Sequence, residues 1–163
     1  PPQAAAVAPA LVAADVSRTN VAEWVRANRT RPVLVADVCA CGEIGRTKHH
    51  YLNPNDDEET AKMLYLLGSS LVGRRAGDLV ALGRSLQTRY GQKPQLVGFG
   101  RVAVAAAHAH AAAPGLFAVC ELHAAPPSWS DAVRSRRRID YASSVHGALL
   151  KYDWTDIVRP GQK

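Results

Sequence analysis

Between an apolar run ending at Phe99 and an alanine-rich run beginning at Val102 lies the turn Gly98-Phe99-Gly100-Arg101-Val102. A glycine turn in that place suits two chemistries. The first is nucleophilic acyl transfer at a G-x-S-x-G corner, where a strained serine needs small neighbours. Gly98 matches the first glycine, the nucleophile position falls on Gly100, and Val102 replaces the last glycine. Glycine has no attacking atom, so ordinary serine hydrolysis is excluded at this turn. The N–H of Arg101 would occupy the oxyanion-donor position after the nucleophile. Without a nucleophile it is left to help the helix N-terminus hold an anion. The second chemistry is dinucleotide binding. Gly98 to Ala103 reads G-x-G-x-x-A, and Glu121 follows about 20 residues on, where an acid can hold ribose hydroxyls. A plain glycine turn that lets an alanine-rich helix lie against a sheet would use the same two glycines.

Other reactive side chains are sparse. His108 and His110, two residues apart on the alanine-rich run, fall on different helix faces and read as structural histidines. His123 follows the next apolar run, with Ser128 shortly after it. Ser128–His123 is the one weak catalytic pairing, with Glu121 and Asp131 the nearest acids and no motif behind it. The cysteines are Cys39, Cys41 and Cys120, and an odd count argues against a disulfide framework. Cys39 and Cys41 precede His49-His50, but no second pair has metal-ligand spacing, so neither a metal nor a cofactor is expected.

The elements that must position these residues follow from pattern. Asn20 and Glu23 form a capping-box signal for a short helix over 21–27. The branched apolar run 33–38 predicts a strand covered on both faces. Residues 39–57 read as a long loop, with Asp56 or Asp57 capping a helix over 58–70. A second helix over 76–90, or a single helix with the first that kinks at the glycines between them, stops at Gly91. A strand over 94–99, the helix 102–113, a strand over 116–122 and a helix through Arg134–Arg138, capped by Ser128 or Ser130, complete the order. Residues 141–163 read as loop and short helix. Alternating strands and helices predict an α/β protein: three α/β/α layers with a mainly parallel sheet. Ligands of such sheets gather at the carboxyl ends of the strands, here 37–42, 98–101 and 121–126.

The run Asp37-Val38-Cys39-Ala40-Cys41-Gly42-Glu43-Ile44-Gly45 resembles the D-x-R-G-x-G-x-S turn that follows a central strand in α/β-hydrolases, especially the D-x-R-G-x-G-E form of acetyl xylan esterase-like relatives. Leu66 through Asp78, Ser128-Trp129 and Gly147 through Asp156 resemble later segments of that group. Together these segments span about residues 31–160. The resemblance implies a partial α/β-hydrolase fold and, in active members, hydrolysis of an acylated carbohydrate or similar small ester. It departs from the pattern at Cys39 for the arginine, Ala40 for the glycine and Gly100 for the serine. It also implies that the triad acid and histidine follow two further strands beyond Lys163 and that early strands precede the chain. The expected organisation is an N-terminal extension and short helix over 1–30 and the central part of the domain over 31–163. The opening Pro1-Pro2 likewise predicts a processed or excised piece.

Bulk composition sets the frame. The chain has 163 residues, 47% of them apolar and 21% charged, with a formal net charge of +6. These values fit one globular domain and exclude general disorder. Aromatics are only 6%, and alanine supplies much of the apolar count, so a helix-rich core is expected. No apolar stretch reaches the roughly 20 residues of a membrane helix, so no membrane partner is expected. The basic residues cluster at Arg134–Arg138, with a pair at Arg74-Arg75, and few aromatics lie among them to stack bases. They read as solvated helix faces, and no nucleic acid is expected. A small ester or carbohydrate ligand, and self-association through an exposed sheet edge, are the partners this reading predicts. The resemblance suggests an exported or periplasmic setting; the residues themselves do not specify one.

Overall fold

The computed structural model describes residues 7–14, 18–41 and 57–158. Among these residues four strands form one wholly parallel sheet in the order β2-β1-β3-β4: β1 is Ala10–Ala14, β2 Val33–Ala36, β3 Gln95–Phe99 and β4 Cys120–His123. Helix α1 (Arg18–Ala27) covers one face of the sheet. Helices α2 (Asp57–Leu66), α3 (Leu71–Tyr90), α4 (Val102–Ala112) and α5 (Trp129–Arg134) lie on the other side, giving three α/β/α layers.

Strand β1 is the main departure from expectation. It falls within the segment read as an extension, yet it pairs with β2 and β3 in the middle of the sheet. Residues 10–13 are fully buried, which explains their unbroken apolar character: both faces are covered, so no polar alternation is needed. Val12, Val97 and Phe99 point to Val21 and Trp24 of α1. Leu11, Ala13, Leu96 and Cys120 point to α3 and α4.

Helix α3 begins five residues before the expected start at 76. Ser70 caps it, accepting a hydrogen bond from the Gly73 N–H at 3.0 Å. Gly91, at φ 66°, closes it as expected. Helices α2 and α3 are separate, divided at Gly68 with φ 69°. Asn20 lies inside α1 rather than capping it. Strand β4 starts at Cys120 rather than 116, because Phe117 turns away to pack on Gly83 of α3. Helix α5, capped by Ser128, stops at Arg134, so Arg136–Arg138 are not helical. Helix α4 is alanine-rich, and Val102–Ala107 and Ala109 are buried.

Candidate functional site at the carboxyl rim of the sheet

In an open parallel sheet, the crevice outside the carboxyl ends forms where the chain order reverses, here between β1 and β3. The β3–α4 corner stands on that rim. Gly98 allows the helix to come this close: a Cβ there would lie 2.9 Å from Ala103 Cα and 2.8 Å from Ala106 Cβ. Gly100 makes the sharp change of direction at φ 61°, a left-handed conformation that a side chain disfavours. Its N–H donates to the His123 carbonyl at 2.9 Å and so ties the corner to the end of β4. Arg101 is the N-cap residue of α4, and among the described residues no side chain caps that helix.

Arg101 reaches across the rim. One guanidinium nitrogen lies 2.9 Å from Asp57 Oδ2 and the other 3.0 Å from Asp140 Oδ2. The opposite oxygen of Asp57 lies 3.1 Å from Arg75. Arg75 is fully buried, so the reading of Arg74-Arg75 as a solvated face is corrected: Arg74 is exposed and Arg75 is not. Arg75 Nε also donates to the Cys39 carbonyl at 2.9 Å, and the Cys39 N–H donates to Asp78 at 2.8 Å. The turn after β2 is thus held by α3, and α2 is held to both α3 and α4 through one carboxylate. A buried arginine needs such a partner to offset its lost hydration. A cavity of about 300 Å³ opens beside this network, lined by Glu58, Arg101, Arg138 and Asp140. Its charges pair, Arg138 with Glu58 and Arg101 with Asp140. This lining can hold a polar ligand, and its described members include no serine, cysteine or histidine.

The other singled-out residues do not converge. His123 stacks on Phe99 with ring centroids 4.7 Å apart and contacts Glu121 at 3.4 Å. Ser128 instead donates to Asp153 at 2.8 Å and accepts from the Asp131 N–H at 3.1 Å, so the structure does not form a Ser128–His123 pair. Glu121 lies level with Val97, on the face toward α1, where it accepts from Trp24 Nε1 at 3.3 Å and from Gln95. It is His123, not Glu121, that aligns with Phe99 at the rim. His108 is a satisfied interior histidine, bonded to the Val104 carbonyl at 2.7 Å and to Tyr152 OH at 3.0 Å. Burial lowers its pKa, against the opposing pull of that carbonyl. Burial, reinforced by Glu121, pushes the Cys120 thiol up to about 12. Burial and then Asp78 raise Cys39. Neither thiol is set up as a nucleophile. Asp56 and His49-His50 lie outside the described residues, among which no cluster with metal-binding spacing occurs.

Sequence reasoning missed Asp57 as a bridge and Arg75 as a core residue. The signal for Arg75 was present: it shares the helical phase of Val72, Leu79 and Leu86, all of which face the core. No protein-family model matches the chain, and no curated protein sequence matches it.

Proposed function

We propose that this chain is an α/β-hydrolase-like, esterase-related domain of the acetyl xylan esterase-like kind, in which the corner after β3 has lost its nucleophile. It holds a small ester or carbohydrate ligand at the sheet rim without turning it over. The observation that carries this reading is Gly100. A left-handed residue at a sharp strand-to-helix corner, on the ligand-facing rim of a parallel sheet, is where such an enzyme places its serine. Gly98 supports the same reading, since a close-packed helix leaves no room there for a side chain. Dinucleotide binding has less support, because Glu121 is engaged by Trp24 and Gln95 below the rim.

The test is turnover of 4-nitrophenyl acetate by the purified chain, with a fluorophosphonate probe for reactive serines. The expected result is hydrolysis at the buffer rate and no labelling. Turnover abolished by the probe would overturn the proposal and point to another serine, such as Ser69, Ser70 or Ser128. Titration with NAD or NADP separates the second reading: saturable binding weakened by Glu121→Ala would favour it over the first.

A further inference from the structure

A second cavity, also about 300 Å³, opens between α2 and the 3-10 turn Tyr141–Ser143. Glu58 of the rim cavity and Ala61 of this one lie one helical turn apart on α2, and Asp140 and Tyr141 are adjacent, so the two cavities flank the same junction. The second has a different chemistry. Its floor is apolar, formed by the buried Ala61 and Leu71. Its walls are the rings of Tyr65, Tyr141 and His146, with Tyr65 and His146 centroids 4.5 Å apart and tilted. Lys62 is the one lysine or arginine among the described lining residues, and Glu58 at 3.2 Å and Glu59 at 3.0 Å counter its charge. Tyr65 is 51% exposed and Tyr141 50%, so two large rings meet water in the absence of a ligand.

The geometry points to a binding site for a single uncharged aromatic ring bearing a hydroxyl, of the phenol class. Size argues for one ring: an apolar cavity of about 150 Å³ accepts benzene, and this one has room for a ring and a polar substituent. The walls argue for aromatic character, since tilted rings around an apolar floor favour edge-to-face contact. The polar edge argues for a hydrogen-bonding substituent, which Ser69 and the two tyrosine hydroxyls can meet. The paired charge of Lys62 argues against an anionic ligand. This site stands apart from the rim and does not depend on the reading given for it.

Saturation-transfer NMR on the whole chain with p-cresol, beside benzoate and methyl β-D-glucopyranoside, tests the assignment. The expected result is saturable p-cresol binding with a Kd of about 1 mM, an affinity within reach of a ligand this small. The His146 ring signals should shift, and both other probes should bind more weakly. Ser69→Phe, which fills the mouth from the α2–α3 turn, and Tyr141→Ala, on an exposed ring, should each weaken binding at least about ten-fold. Circular dichroism checks that each variant folds, and either variant suffices. Absence of saturation, unchanged affinity in a folded variant, or tighter binding of benzoate or the glucoside would each overturn the assignment.

Discussion

Gly98 and Gly100 are both required by the same corner, but for different reasons, and substitution separates them. At Gly100 the constraint is backbone conformation, so Gly100→Ala should cost about 1–2 kcal/mol, the penalty of a left-handed residue bearing a Cβ. At Gly98 the constraint is space. The nearest atoms belong to the α4 backbone and to Ala106, which cannot swing aside, so Gly98→Ala should cost about 1–3 kcal/mol through overpacking. Urea unfolding measures both. If α4 tolerates the Gly98 change without loss, the close contact between helix and strand is not what fixes the corner. Asp153 shows how one residue makes stability depend on pH. Burial alone would raise its pKa, but hydrogen bonds from the Ser130 N–H and side chain, Ser128 Oγ and the Trp129 N–H outweigh this and hold it at about 2. A carboxylate depressed in the folded state contributes stability above its unfolded pKa and loses it as pH falls through the folded value. The contribution, about 1–2 kcal/mol after allowance for solvent screening, should be present at pH 7 and vanish between about pH 4 and pH 2. Asp153→Asn should remove that step from the stability–pH curve, and an unchanged curve would show that the carboxylate charge is not what the four donors stabilise.

Asp57 joins three helices, so its loss belongs to the scale of elements. Among the described residues Arg75 would stay buried with only the Cys39 carbonyl against its guanidinium, and Arg101 would keep Asp140. Removing one partner of a buried ion pair costs several kcal/mol, so Asp57→Ala should lower stability by about 3 kcal/mol, read as a lower urea midpoint with an unchanged slope. A loss below 1 kcal/mol would mean that Arg75 is sufficiently paired without it. The same elements show what a sequence can disclose. Strand β3, helix α4 and the turn between them follow from local pattern: a short apolar run, two glycines and an alanine-rich helix. Strand β1 does not. Five apolar residues after a proline carry no period that separates strand from buried helix, and their central place depends on pairing with β2 and β3 far along the chain. Strand β4 begins late because Leu116 and Phe117, apolar enough for a strand, fill the space left by Gly83. The corner of the candidate site was legible because glycine spacing is a local signal. The ionic network behind it was not, because Asp57, Arg75 and Arg101 meet only in three dimensions.

For the whole molecule, the sheet ends unevenly. Among the described residues neither β2 nor β4 has a further strand on its outer side, and of these two edges β2 is the wholly apolar one. Leu34 and Val35 at its centre are 36% and 53% exposed, and they point to opposite faces of the sheet. The described strand has no lysine or internal proline to block pairing, the usual protection of an exposed edge. Two opposing forces therefore set the state in solution. Apolar contact and unpaired backbone groups favour edge-to-edge association, and the net charge of +6 opposes it. Charge repulsion is screened by salt, with a Debye length of about 10 Å at 0.1 M and about 3 Å at 1 M, while edge pairing is not weakened in the same way. Self-association should therefore strengthen as salt is raised, the reverse of an interface built on ion pairs. Val35→Lys places a charge on the edge at a solvent-exposed position and should shift sedimentation profiles toward monomer at every salt concentration, with little change in folding stability. A monodisperse monomer at high protein concentration and 1 M salt would show that this edge is closed to other chains.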